Sequence, residues 1–164
     1  VTPGGETAQE SIRNGVFALR DICGAEDIVV IHDGIRPMVE EFVLSDVLIK
    51  CRQYGNAVTS LPYNEQIFLV GDGESTERYI PRDTLRRVST PQAYRYDKLL
   101  WAYERAFAEG IGIQTSTYAN TLMVDLGEKL YFAAGSDKNI KLTTKDDFEL
   151  FKCYMKMERD AWLK

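Results

Sequence analysis

The sequence predicts an α/β domain built on a mostly parallel sheet, and two observations lead to this class. Patterns typical of helices and of strands alternate along the 164 residues, which is the arrangement that places helices on the faces of a parallel sheet. The apolar run Ile28–Ile31 ends abruptly before Asp33-Gly34, as expected of a strand that is buried on both faces. A chain of this length forms one core, so residues 1–164 are assigned to a single domain.

Four elements are predicted in the first part of the chain. An apolar stripe predicts a helix from Thr7 to about Asp21, and the strand 28–31 follows it. A second helix is predicted from about Val39 to Tyr54, where Gly55 supplies the usual C-terminal glycine. Residues 57–61 then predict a short strand.

A protruding arm is predicted next. Residues 66–70 and 78–80 have the pattern of two short strands, joined by a polar tip that contains Gly71-Asp72-Gly73. Together they predict a β-hairpin arm at about residues 62–82. We predict that this arm forms a contact between two copies of the chain.

The last part of the chain is predicted to contain two helices and one strand. Thr90-Pro91-Gln92 predicts a non-helical elbow before a helix from about Tyr96 to Glu109. Residues 130–133 predict a strand. Thr144 begins the last helix, with Asp147 three residues later as an approximate capping box.

Composition and charge exclude several classes of protein. The net charge is −5, so no overall basic field attracts nucleic acid. No apolar run is long enough to span a membrane, and the first residues do not form a signal peptide. The three cysteines are odd in number and form no CxxC pair, which fits a reducing compartment. We expect a cytoplasmic protein that binds neither nucleic acid nor membranes.

Three charged residues are candidates for an anion site. Asp33 and Arg36 follow directly after a predicted strand, where ligands bind in open α/β sheets. The carboxylate of Asp33 suits Mg²⁺ or simply stabilises a turn. Arg36 suits bidentate binding of phosphate, and Lys141 offers a flexible positive charge. On the residues alone, the two explanations of Asp33 are equally good, Arg36 has the alternative of a surface arginine before proline, and Lys141 is better explained as a solvated side chain before a helix.

Four short motifs, in this order, resemble a known enzyme family. They are Gly4-Gly5 with Ser11-Ile12, His32 to Pro37, Thr90-Pro91-Gln92, and Asn139-Ile140-Lys141-Leu142-Thr143. The family comprises methylerythritol-phosphate cytidylyltransferase of isoprenoid synthesis and ribitol-phosphate cytidylyltransferase of cell-wall polymer synthesis. The resemblance implies a Rossmann-like nucleotide-diphospho-sugar transferase fold and a homodimer. It also implies transfer of CMP from CTP to a polyol phosphate, with Mg²⁺ as cofactor and release of pyrophosphate.

The resemblance also implies roles for individual residues. Catalytic roles fall to Lys141 and Asp33, and Asp33 would also bind the metal. Arg36 would reach into the substrate site of a neighbouring subunit. The remaining substrate-binding candidates are Arg82, Asn64 and Ser116, and the candidates for nucleotide contact are Gly5, Ser11 and Gly34.

Several departures from the family pattern define the competing hypotheses. Such enzymes begin with a strand and a glycine-rich loop that holds the CTP phosphates, and this chain starts after them, so we expect a carboxyl-terminal portion that is inactive alone. Ala8 and Asn64 stand where the family has arginines. These changes argue against an orthodox isoprenoid enzyme: methylerythritol phosphate is the family's default acceptor, and ribitol phosphate or a relative is at least as compatible with them. The alternatives are a non-catalytic dimerisation or regulatory remnant of the same fold, and an enzyme that uses another nucleoside triphosphate.

Overall fold

Helices and strands alternate in the computed structural model, which describes residues 1–114 and 118–161, with side chains through residue 157. The helices are α1 (Ala8–Phe17), α2 (Glu41–Tyr54), α3 (Tyr96–Glu109), α4 (Ala119–Asp125) and α5 (Lys145–Ala161). The strands are β1 (Ile28–Ile31), β2 (Asn56–Pro62), β3 (Ile67–Leu69), β4 (Arg78–Ile80), β5 (Arg86–Arg95) and β6 (Phe132–Ala134). A 3₁₀ turn, Arg82–Thr84, precedes β5.

The main sheet has the strand order β1-β5-β2-β6. Strand β5 pairs antiparallel with both β1 and β2, whereas β2 and β6 are parallel. Three of these four strands therefore share one direction, and the predicted α/β class with a mostly parallel sheet is confirmed. The expected burial of β1 on both faces is wrong. It lies at the edge of the described sheet, and Val30 is 37% exposed.

The predicted elbow at Thr90-Pro91-Gln92 is in fact the middle of β5, a central strand. Proline has no N–H for a strand ladder and is normally confined to edges and bulges. Here the partner of Val58 is Gln92 and the partner of Ser60 is Val88, so three residues of β5 face one residue of β2. This bulge accommodates Pro91 and explains why the sequence pattern does not indicate a strand.

Helices cover both faces of the sheet. Successive residues of a strand point to opposite faces, so Ala57 and Val58 belong to different hydrophobic clusters. Val58 packs with the buried side of α3, including Leu99 and Tyr103. On the other face, Ala57 packs with α2 through Val47.

Side chains of α2 close the outer edge of β6. Asp46 Oδ2 accepts a hydrogen bond from the backbone N–H of Ala134 at 2.6 Å, and Lys50 Nζ donates to the carbonyl oxygen of Phe132 at 3.0 Å. The bond from Ala134 lowers the pKa of Asp46. These contacts occupy backbone groups with which another strand would otherwise pair.

Most of the predicted boundaries agree with the observed elements, but the end of α1 does not. Helix α1 ends at Phe17, short of the predicted Asp21, because the Val16 carbonyl accepts the Tyr96 hydroxyl at 3.1 Å and the chain then tightens into turns. Helix α4 was not predicted. The arm is confirmed as a hairpin, since β3 and β4 pair antiparallel. Within the described residues, no helix is both long and apolar enough to cross a membrane.

Candidate active site

Asp33, Arg36 and Lys141, which the sequence proposes as one site, do converge. Arg36 Nε lies 3.1 Å from Asp33 Oδ2, and Lys141 Nζ lies 3.8 Å from the same oxygen. All three side chains are largely withdrawn from solvent, with exposed fractions of 16% for Arg36, 26% for Asp33 and 33% for Lys141. Charges in such a partly dry position interact more strongly than they do at an open surface.

A tight turn after β1 sets the positions of Asp33 and Arg36. The backbone N–H of Arg36 donates to the Asp33 carbonyl at 2.9 Å, and His32 Nε2 bonds the Arg36 carbonyl at 2.9 Å. The backbone N–H of Asp33 donates to Thr90 Oγ1 at 3.0 Å. The imidazole of His32 is thus engaged in holding the turn, in agreement with a structural role for this histidine.

Asn139 connects this turn to the segment that carries Lys141. It is only 4% exposed, and its Nδ2 donates to the Thr90 carbonyl at 2.6 Å. Its own carbonyl accepts from Arg36 Nη1 at 2.8 Å. The bulge at Pro91 leaves the Thr90 carbonyl available for this bond, so the irregularity in β5 serves the site directly. Asn139 Oδ1 is also buried and has no hydrogen-bond partner in the described part of the chain.

Two adjoining cavities open at this point. The smaller, of about 160 Å³, contains Asp33 together with uncharged polar groups; its lining is Asp33, Arg36, Val88, Ser89, Thr90, Gln92, Tyr118, Asn120 and Lys141. The larger, of about 270 Å³, contains a further arginine, Arg87, with Ser136 and Asp137. Arg36 and Lys141 line both cavities. An anion at the boundary between the cavities would therefore meet two cations at once.

Asp33 provides a single carboxylate for a cation. Within the described part of the chain, no three His, Cys, Asp or Glu side chains are grouped closely enough to hold a metal ion. This composition fits Mg²⁺ bound through one carboxylate and substrate phosphates, because Mg²⁺ keeps several waters and rarely uses an all-protein cage. It does not fit a preformed structural metal centre.

Comparison with known proteins agrees with this fold. The family model described as 2-C-methyl-D-erythritol 4-phosphate cytidylyltransferase matches residues 1–157. The chain is 63% identical over 156 residues to the ribitol-5-phosphate cytidylyltransferase of Lacticaseibacillus paracasei, covering 95% of this chain and 67% of that protein. This chain belongs to that cytidylyltransferase family.

Other relatives give the same result at greater distance. The 2-C-methyl-D-erythritol 4-phosphate cytidylyltransferase of Bacillus pumilus is 38% identical over 157 residues, covering 95% of this chain and 65% of that protein. The crystal structure of the enzyme of that name from Thermus thermophilus has a TM-score of 0.79 at 27% identity, covering 93% of this chain and 71% of that one. The chain thus spans about two thirds of the length of the curated relatives that it matches.

Within this member of the cytidylyltransferase family, Gly5 and Ser11 make local contacts. The Gly5 N–H donates to Ser11 Oγ at 2.9 Å, and that hydroxyl donates to the Thr7 carbonyl at 3.0 Å. A Cβ atom on Gly5 would lie 2.2 Å from the Cβ of Glu10, so the chain itself requires glycine here. Neither residue lines the two cavities, and their predicted contact with the nucleotide remains a prediction.

Gly34 lies in the turn between Asp33 and Arg36. A Cβ atom there would have no neighbour within 4 Å among the described residues, so space is open beside its backbone. The space leaves room for a ligand beside the Asp33 turn, and the predicted nucleotide contact of Gly34 stays a prediction.

The remaining substrate-binding candidates lie elsewhere. Arg82 Nη1 donates to the Asn64 carbonyl at 3.4 Å, which places both residues together at the base of the arm. Neither lines the cavities that hold Lys141. Ser116 lies outside the described residues. Arg36, which the resemblance places in a neighbouring subunit's site, is bound through its guanidinium to Asp33 and Asn139 of its own chain.

Sequence reasoning missed two residues of this candidate site. In the sequence Asn139 is visible only as part of a motif, whereas its burial and its bonds to Thr90 and Arg36 make it the connecting residue of the site. Arg87 was not singled out at all, because the strand that carries it was not recognised. Residues 86–89 show no alternation of exposed and inward positions that could have indicated it, since the first two are exposed and the next two are partly buried.

Proposed function

We propose that this chain carries the acceptor side of a CTP-dependent cytidylyltransferase whose substrate is ribitol 5-phosphate. The observation that carries the proposal is the convergence of Arg36 and Lys141 on Asp33 beside two small polar cavities. The 63% identity to a ribitol-5-phosphate cytidylyltransferase supports this acceptor. Asn64, in place of a family arginine, further favours it over methylerythritol phosphate.

The proposed reaction is an in-line displacement at phosphorus. A phosphate oxygen of ribitol 5-phosphate attacks the α-phosphorus of CTP and forms a new P–O bond. The bond between the α-phosphorus and the oxygen leading to the β-phosphate breaks, and pyrophosphate leaves with those electrons. The nucleophile is already an anion, so no protein base is needed, and catalysis depends on positioning and on positive charge.

Lys141 and Arg36 supply that charge. Both line the boundary of the two cavities, so both can contact the acceptor phosphate and the charge that develops during transfer. Asp33 holds the two cations in position through contacts of 3.1 Å to Arg36 and 3.8 Å to Lys141. Asp33 would also hold Mg²⁺ together with the CTP phosphates, and the bound ion would neutralise phosphate charge there.

Two further points belong to the same proposal. The chain alone is proposed to bind the polyol phosphate without turnover, because it spans about two thirds of the length of its curated relatives and its sequence contains no glycine-rich loop of the kind expected for the CTP phosphates. The arm is proposed to join two copies of the chain, since Phe68 and Tyr79 pack together on it and remain 56% and 62% exposed. The use of CTP also fits the cytoplasmic location expected from the sequence.

The test separates binding from turnover. Calorimetric titration of the chain with ribitol 5-phosphate is expected to give binding, whereas unphosphorylated ribitol gives none and 2-C-methyl-D-erythritol 4-phosphate binds more weakly. Release of pyrophosphate from CTP is expected only when the chain is joined to its upstream coding sequence. Binding without turnover in either form would support the non-catalytic remnant, and turnover with another nucleoside triphosphate would correct the choice of CTP.

A further inference from the structure

Arg87 is a third cation of the larger cavity, and it differs from the other two in how it is held. Its guanidinium pairs with Asp137, and both residues line the cavity together with Arg36 and Lys141. The side chains of Arg87 and Asp137 are 55% and 78% exposed. In contrast, the Arg36–Asp33 pair lies in the partly buried turn, with exposed fractions of 16% and 26%.

This difference in exposure decides which cation can change partner. An exposed ion pair contributes little net free energy, since water and salt screen it and both side chains lose freedom. Arg87 can therefore leave Asp137 at small cost. Arg36 cannot leave so easily, because Asp33 and the buried Asn139 carbonyl both hold its guanidinium.

The charge of the proposed acceptor also calls for a third cation. A phosphate monoester carries close to two negative charges at neutral pH. Lys141 and Arg36 already have Asp33 between them, so the three residues together carry a single net positive charge. Arg87 supplies the second positive charge that the phosphate requires when its guanidinium turns from the Asp137 carboxylate to the phosphate. There its planar guanidinium can bind two phosphate oxygens.

We propose that Arg87 is a substrate-binding residue that selects phosphorylated acceptors, and that Asp137 holds it until the phosphate displaces the carboxylate. This inference rests on the proposed function and adds a residue to its acceptor site. Asp137 then competes with the substrate. The two members of one ion pair thus have opposite effects on acceptor binding.

The opposite effects expected for the two residues on acceptor binding provide the test. Titration with ribitol 5-phosphate is expected to show about tenfold weaker binding for Arg87→Gln, as for loss of one charged hydrogen bond, and about threefold tighter binding for Asp137→Asn. Arg86→Gln is the matched control, because Arg86 precedes Arg87 on β5 and lines neither cavity. Its binding is expected to stay within about twofold of the unsubstituted chain. In the form with upstream sequence, KM for CTP is expected to stay unchanged in all three variants.

A purely structural ion pair would give a different pattern. Both Arg87→Gln and Asp137→Asn break the same contact, so a structural role would move both variants in one direction, and thermal unfolding would report it. Equal weakening in the two variants, or unchanged binding in Arg87→Gln, would overturn the role of Arg87 and leave the proposed function intact. If the unsubstituted chain does not bind ribitol 5-phosphate, the proposed function fails and this inference fails with it.

Discussion

The site at the end of β1 and the arm are organised in opposite ways. At the site, side chains from residues 32–36, 90 and 139–141 are joined by hydrogen bonds that are partly or fully buried. On the arm, the turn is held by bonds among its own exposed residues, such as Asp72 Oδ1 with the backbone N–H of Ser75 at 2.8 Å. The hydrophobic face of the arm, by contrast, lies open.

This difference separates a preorganised site from an exposed surface that we propose to be a contact between two copies of the chain. Cations that must meet a transferring phosphate are most effective when their positions are fixed before the substrate binds. The site achieves this through bonds between residues distant in sequence. The arm is fixed mainly by its own local bonds, and its exposed aromatic pair gains most if a second molecule covers it. Substitutions at the site should therefore change catalysis or stability, whereas substitutions on the arm should change the association of two copies.

The largest effect is expected from removing the charge of Lys141. Lys141→Met keeps an unbranched side chain of nearly the same length and removes the ammonium group that lies 3.8 Å from Asp33. In the form with upstream sequence, kcat for pyrophosphate release should fall about 10²- to 10³-fold, as for loss of one preorganised group that stabilises transition-state charge. Lys138→Met is the matched control, since Lys138 pairs with Glu40 at 3.5 Å and lines neither cavity. A fall of less than about fivefold in Lys141→Met would remove this residue from the chemistry.

The next effect concerns the stability of the connected site. Asn139→Ala removes a donor from the buried Thr90 carbonyl, now paired at 2.6 Å, and an unpaired buried acceptor costs about 1–3 kcal/mol. Urea unfolding should show a loss of this size. On the arm, Thr76→Val breaks the exposed hydrogen bond from Thr76 Oγ1 to the Leu69 carbonyl. This variant should change the unfolding free energy by about 0.5 kcal/mol or less. Similar losses of unfolding free energy in the two variants would contradict the proposed difference between the site and the arm.

The same contrast explains what the sequence could predict. Strand β1 and the arm were placed correctly because each depends on local patterns, namely an apolar run and a hairpin with a glycine turn. Lys141 and Asp33 were brought together only through the family resemblance. The bond from Asn139 to Thr90 was not predictable, since it depends on a bulge that contains Pro91 and joins residues far apart in the chain.

Substitutions on the arm should change the association of two copies of the chain rather than the stability of the fold. Replacing both Phe68 and Tyr79 by alanine removes the exposed aromatic pair, whose ring centroids lie 6.3 Å apart. Because both side chains are more than half exposed, the melting temperature should change little. Sedimentation should show that the unsubstituted chain is a dimer and that the double variant is a monomer. An unchanged dimer in the variant would exclude the arm as the contact between copies.

The smallest effect is expected at the start of α5, beside the larger cavity. Hydrogen bonds from the backbone N–H and hydroxyl groups of Thr143 and Thr144 lower the pKa of Asp147 from 3.8 to about 2. A carboxyl whose pKa is lower in the folded state stabilises the fold above pH 3.8, and this contribution is lost as the pH falls from there towards 2. Asp147→Asn should therefore be less stable than the unsubstituted chain at about pH 6, and the difference should shrink by about pH 2.5. Thermal unfolding at both pH values measures it, with Asp146→Asn on the same turn as control. A difference that stays constant with pH would mean that the charge of Asp147 does not stabilise this helix start, and that the capping bonds alone position the segment that follows Lys141.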